Sequence, residues 1–150
     1  MSANPNNSNI LVDRSTSLGL YKATDRTNPN YFIKGTLAGG VLEFTVVAKI
    51  SGQTGSVAGK DFFAAMMAHF SPAAVRTIKG IWVAGLDLDT NIDQFNALTK
   101  QGMSDIDAAK GTWTGQQAND YGFTNVKIDW KDPPGDYPGQ YTEVTVSLTR

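Results

Sequence analysis

The sequence predicts an α+β fold, with an antiparallel or mixed sheet from amino- and carboxy-terminal hairpins and about three central helices packed on one face. Three observations lead there. Leu42, Phe44, Val46, Ala48 and Ile50 alternate with Glu43, Thr45, Val47 and Lys49, the period of two that marks a half-buried strand. Near the end, Val126, Ile128 and Trp130 alternate with Lys127, Asp129 and Lys131, and Val144, Val146 and Leu148 with Glu143, Thr145 and Ser147, so the tail reads as a hairpin. Between these regions apolar residues fall three and four apart, as helices require. Strands, then helices, then strands place the helices on one side of a sheet.

Met1 to Asn9 is rich in Asn and Ser, and residues 1–17 read as a flexible leader or linker stub before a single domain over 18–150. Leu18 to Thr24 is a short strand, Asp25 to Asn30 a turn fixed by Pro29, and Tyr31 to Leu37 an extended run. Gly39-Gly40 suits a tight hairpin connection to the Leu42–Ile50 strand. Asp61 is placed to cap a helix over Phe62–Phe70, which Ser71-Pro72 stops. Val75 to Val83 alternates again as a strand. Gly85 to Asp89 turns, Thr90 or Asn91 caps, and Ile92, Phe95 and Leu98 mark a short helix to Gln101.

Gly102 to Phe123 is the least regular stretch. It starts as a helix should, with Ser104 as cap and Asp105 and Asp107 in the first turn, and Gly122 suits its end. Gly111 and Gly115 each cost about 1 kcal/mol relative to Ala within a helix. The expectation is a helix broken at one of these glycines. Pro133 to Gly139 is too rich in Pro for a strand and forms a long loop.

Composition narrows the function. The chain has 150 residues, a formal net charge of -1 and no cysteine. Without cysteine there is no disulfide, no thiolate nucleophile and no Cys-containing zinc site, which excludes zinc-dependent base deamination. A nucleic-acid role must rest on a local patch rather than on overall charge. No apolar run approaches the roughly 18 residues of a membrane span, and no signal-peptide pattern opens the chain. Carboxylates with metal-ligand spacing are missing, so no metal is expected.

His69 is the single histidine and ends an apolar helix; its titration range suits a general acid or base, or it is a helix-terminal surface residue. Thr112, Thr114 and Gln116 stand among glycines, either as an anion-binding turn or as a capped helix kink. Trp82 and Trp113 are core residues or a stacking surface for a base. Tyr141, Thr142 and Glu143, with Lys127 on the neighbouring strand, either line an open sheet face or form a solvated edge. No phosphate-binding glycine loop, nucleophile elbow or kinase motif occurs.

Ile78-Lys79-Gly80-Ile81-Trp82, Gln94-Phe95-Asn96-Ala97-Leu98 with Gly102-Met103-Ser104, the run from Ala108-Ala109 through Thr112-Trp113-Thr114-Gly115 to Gly122-Phe123, and the closing Tyr141-Thr142-Glu143-Val144 are read together. Over about Gly59 to Arg150 the sequence resembles carboxy-terminal toxin domains of bacterial polymorphic toxins, of the rearrangement-hotspot and contact-dependent-inhibition kinds. The resemblance implies an effector carried by a larger secreted protein, acting in a rival cell's cytoplasm and neutralised by a cognate immunity protein. Such toxins include metal-independent ribonucleases, which need no cofactor because the RNA 2′-hydroxyl is the nucleophile. In that reading His69 or Glu143 moves the proton, Lys79 or Lys127 steadies phosphate, Thr114 and Tyr141 donate hydrogen bonds, and Trp82, Thr112, Gln116, Lys127 and Thr142 hold the RNA.

Leu20-Tyr21-Lys22-Ala23-Thr24-Asp25-Arg26 is similar to the first strand of bacterial ADP-ribosyltransferases, which act on NAD. That family usually has Arg at the position of Lys22, and its Ser-Thr-Ser lies on a middle strand, whereas Ser15-Thr16-Ser17 precedes the Tyr-Lys pair here. A third expectation is a non-catalytic binding domain whose Gly-Thr-Trp-Thr-Gly turn is structural.

Overall fold

Alternating side chains and two-residue turns build the first half as an antiparallel meander. A computed structural model describes residues 3–15, 17–84 and 90–150. It is α+β, and it divides into two compact units, residues 1–76 and 77–150. The first unit contains strands β1 (Ile10–Val12), β2 (Leu20–Asp25), β3 (Asn28–Ala38) and β4 (Val41–Val47), paired in that order. Gly39 and Gly40 join β3 to β4, as the sequence suggests. β1 lies inside the stretch expected to be a flexible leader, and pairs Leu11 with Thr24. Farther upstream, the Asn4 amide and the Asn7 side chain donate to Asp61 at 2.7 and 3.0 Å. Asp61 therefore anchors the start of the chain instead of capping its helix.

The strand expected over Leu42–Ile50 is interrupted. β4 ends at Val47, and β5 (Lys49–Ile50) pairs with β6 (Gln53–Thr54) as a separate small hairpin. Helix α1 (Gly59–Phe70) covers the face of the meander that carries Tyr21, Ala23, Ile33 and Leu42. Met66 packs on Gly35, where an added Cβ would have no room, and Phe63 meets Phe44 edge-on at 5.2 Å between ring centroids. Each fully buried Phe or Met of α1 contributes about 1.5–3 kcal/mol of transfer free energy.

Asp25 holds the far end of this unit. It is buried at a β-bulge, with Oδ1 accepting from the Thr27 amide and hydroxyl and Oδ2 from the amides of Ser56 and Val57. Burial alone would raise its pKa; the hydrogen bonds to Thr27, Ser56 and Val57 outweigh that and hold it below the ordinary 3.8.

The second unit contains β7 (Thr77–Val83), α2 (Thr90–Lys100), α3 (Asp105–Gly111), α4 (Trp113–Asp120), β8 (Asn125–Asp132) and β9 (Glu143–Thr149). Its antiparallel sheet runs in the order β7-β9-β8. Ile78, Trp82, Val144, Val146 and Leu148 point into the core with Ile92, Phe95, Ala108 and Phe123. The turn expected at Gly85–Asp89 lies outside the described residues.

The irregular stretch resolves into two helices that meet at Thr112. Ser104 caps α3 through the Asp107 amide, as expected. Thr112 ends α3 and caps α4 at once: its hydroxyl donates to the Ala109 carbonyl at 2.7 Å and accepts from the Gly115 amide at 3.1 Å. Gly115 is required by close approach, because a Cβ there would press on the Ala109 carbonyl oxygen and lie 2.8 Å from that of Lys110. Gly111 lets α3 come against Leu98, whose Cδ1 would be 2.7 Å from an added Cβ.

Tyr141 locks the loop between β8 and β9. Its backbone exchanges two hydrogen bonds with the Asn96 amide, at 2.8 and 2.9 Å, and its ring lies 5.5 Å from Phe95. Its hydroxyl donates to the Gly135 carbonyl at 3.1 Å and accepts from the Tyr137 amide at 3.0 Å and Lys131 Nζ at 3.3 Å. Lys131 also pairs with Asp105 at 2.5 Å. Burial would lower the Lys131 pKa, but the bonds to Asp105 and Tyr141 reverse this and keep the ammonium charged.

Three outcomes follow from this packing. Asp25→Asn is expected to cost roughly 2–4 kcal/mol in urea unfolding at pH 7, since it sets an amide NH₂ against backbone donors. Because the folded pKa of Asp25 is depressed, its contribution is present above 3.8 and fades as pH falls through the folded value. The gap between wild type and variant should close below about pH 3.8. Gly115→Ala should destabilise by about 1–3 kcal/mol through overpacking, the opposite sign to its helix propensity. Tyr141→Phe should lower stability by about 1–2 kcal/mol, with faster amide exchange at Tyr137 as the local readout.

Candidate nucleic-acid interface

One inserted residue decides what the second unit presents to solvent. Along β8 and β9 the partners are Lys127 with Ser147 and Ile128 with Val146, but then Trp130, not Asp129, with Thr145. Asp129 is the extra residue of a β-bulge, which turns every later side chain of β8 to the other face. Trp130, expected to face the same way as Val126 and Ile128, is instead 53% exposed on the outer side. Lys131 turns inward to Asp105 and Tyr141.

Across the outer face the strand register builds short rows. Ile81, Thr145 and Trp130 form one, with Ile81 52% exposed. Lys79, Ser147 and Lys127 form the next. Val83, Glu143 and Asp132 form a third, so Glu143 stands directly opposite a second carboxylate. The Ser147 hydroxyl donates to Asp129, whose other oxygen is 3.9 Å from Lys127 Nζ. The Lys127 side chain is 81% exposed. An indole, an aliphatic side chain, two hydroxyls and two ammonium groups therefore share one open sheet face with the carboxylates of Asp129, Asp132 and Glu143. That set can stack a base and hold phosphate.

The other predicted residues divide into structural and isolated groups. Trp82 is buried against Phe95 at 6.3 Å between ring centroids, so it is core and not a stacking surface. Thr112 and Thr114 are buried as well. Of the two readings of this turn the capped kink is the one that forms, because the amides that an anion would need at the α4 N-terminus are filled from within the chain. Gln94 accepts from the Trp113 amide at 2.6 Å, Asn91 from the Thr114 amide at 2.9 Å, and Thr112 from the Gly115 amide. Asn91, expected as a possible cap for its own helix, caps this one. Gln116 is exposed but turns back to the Gly111 carbonyl at 2.8 Å.

Tyr141 is a buried loop anchor, not a donor facing substrate. Thr142 is exposed and bonds to the carbonyl and carboxylate of Asp132. His69 belongs to the first unit, exposed at the end of α1, with its ring 4.9 Å from Tyr21 and 5.0 Å from Phe70. Of the predicted residues, the second unit's outer face gathers Lys79, Lys127 and Glu143.

Sequence reasoning missed Ile81, Asp129, Trp130, Asp132, Thr145 and Ser147 as members of this face. The alternation around β9 signals Thr145 and Ser147, but no residue type announces the bulge. Among the described residues no helix is long and apolar enough to cross a membrane, and no group of His, Asp or Glu is arranged to hold a metal ion. Comparisons with protein-family models, curated proteins and solved structures find no match to this chain.

Proposed function

We propose that the outer face of the second unit binds single-stranded RNA and that the chain is an RNA-directed effector domain. The observation that carries this reading is Trp130, turned outward by the bulge into a row with Ile81 and Thr145, beside the Lys79–Ser147–Lys127 row. Stacking on an exposed aromatic is worth about 1–3 kcal/mol per base and needs a single strand, because a duplex hides its base faces. The lysines supply phosphate contacts on either side of Ser147.

The catalytic form of the reading is a metal-independent ribonuclease, with Glu143 as general base on this face. Glu143 takes the 2′-hydroxyl proton, O2′ bonds to phosphorus, and the bond from phosphorus to the 5′-oxygen breaks. The leaving oxygen takes a proton from solvent, and the products are a 2′,3′-cyclic phosphate and a free 5′-hydroxyl. The resemblance to polymorphic-toxin domains supports delivery by a larger secreted protein and control by an immunity protein. The transferase alternative rests on the likeness of Leu20 to Arg26 to that family's first strand, from which Lys22 and the early Ser15-Thr16-Ser17 depart.

Binding of a fluorescent single-stranded RNA should weaken about tenfold or more in Trp130→Ala and in Lys79→Gln/Lys127→Gln, with folding unchanged. Equal binding by Trp130→Ala and wild type would remove the stacking face. Expression in a bacterium should arrest growth with RNA cleavage, and Glu143→Gln should abolish both while binding RNA within about twofold of wild type. Intact RNA and normal growth with wild-type protein would leave a binding module and exclude the ribonuclease.

A further inference from the structure

The two units carry opposite charge. Residues 1–76 have seven Lys or Arg and four Asp or Glu, a formal +3, whereas residues 77–150 have six against ten, a formal -4. Two of the first unit's four acids are withdrawn from its surface: Asp25 is buried among backbone amides, and Asp61 accepts from Asn4 and Asn7.

Three of the seven cations, Lys22, Lys34 and Arg14, lie on or beside the sheet face that α1 does not cover. Lys22 and Lys34 are directly opposite each other on β2 and β3, with Thr45 next in the row on β4. All three are exposed. Like charges in facing positions destabilise a strand pair, so this arrangement opposes the fold's own stability. Beside it a shallow concavity of about 460 Å³ is lined by Leu11, Val12, Asp13, Arg14, Lys22 and Thr24. Asp13 is the acid within it, and its Oδ1 accepts from the amide and hydroxyl of Ser15. Glu43 faces Thr36 in the adjoining row.

We infer that this face of the first unit, centred on Lys22 and Lys34 with Arg14 at its edge, is a second nucleic-acid contact that binds the phosphodiester backbone without reading bases. Two ammonium groups in facing strand positions match the repeating charges of a phosphate backbone, and their mutual repulsion is relieved when such a polyanion sits between them. No aromatic is needed, because backbone contacts depend on charge and spacing alone. This surface shares with the second unit's face only the class of partner.

Double-stranded DNA separates the two, since a duplex cannot stack on Trp130. A labelled 20-base-pair duplex should bind wild-type protein at low salt and weaken steeply as salt rises. Lys22→Gln/Lys34→Gln should weaken duplex binding about tenfold or more and make the salt slope shallower by about 2. Trp130→Ala should bind duplex as wild type does. Because a like-charge pair is removed, the double variant should unfold at the same urea concentration as wild type or a higher one. Absence of duplex binding by wild type at low salt, or unchanged binding by the folded double variant, would overturn the inference. Loss of single-strand preference alone, with duplex binding still dependent on Lys22 and Lys34, would count against the Trp130 face and leave this one standing.

Discussion

The bulge at Asp129 is the constraint on which the second unit depends. A regular β8 would send Trp130 into the core and Lys131 into solvent. With one extra residue the order reverses, and both consequences are used. Lys131 reaches Asp105 on α3 and the hydroxyl of Tyr141, which in turn holds Gly135 and Tyr137 of the connecting loop. Trp130 joins Ile81 and Thr145 on the open side. The same backbone irregularity therefore fastens the helical layer to the strand and creates the candidate face. Asp129 itself is retained on that face by Ser147 and lies near Lys127.

Charge separates the roles of the two units. The second unit is acidic overall, so under the proposed reading its face would hold an RNA strand through stacking and two local lysines more than through a long-range field. The first unit is basic, and the contact proposed for its exposed Lys22–Lys34 pair is one to phosphate at no particular sequence. A formal charge of -1 for the whole chain conceals this division. Summed charge describes solubility and approach, whereas recognition depends on which side chains share a row.

The fold was legible where side-chain period and turn chemistry agree. The β3–β4 hairpin at Gly39-Gly40, the Ser104 cap and the β9 alternation all follow from local rules. Two features were hidden because partners outside the local side-chain period decide them. β4 stops at Val47 although the alternation runs on, because Lys49–Ile50 pairs with Gln53–Thr54 instead. Asp61 looks like a cap, but its carboxylate is occupied by Asn4 and Asn7, more than fifty residues away in sequence. The site was less legible than the fold. Lys127 and Glu143 were visible as charged outward positions and Lys79 as a candidate phosphate contact, whereas Trp130 was placed on the side of Val126 and Ile128 by a period that the bulge breaks.

Internal hydrogen bonding explains why the chemistry moves from the helices to the sheet. A helix start beside two glycines looks open to an anion, yet Gln94, Asn91 and Thr112 already accept the first three amides of α4. Among the described residues no buried side-chain nitrogen or oxygen lacks a partner. An anion at α4 would have to displace a well-formed acceptor, at the cost of leaving that side chain unpaired in the interior. The outer sheet face carries no such cost. Lys127 and the indole of Trp130 are exposed, Lys79 is half-buried, and the hydroxyl of Ser147 can turn from Asp129 toward a ligand without opening the core. At the Gly111–Gly115 break Thr112 bonds to Ala109 and Gly115, and it is the pairing of β7, β9 and β8 that sets Lys79, Glu143 and Trp130 on one face.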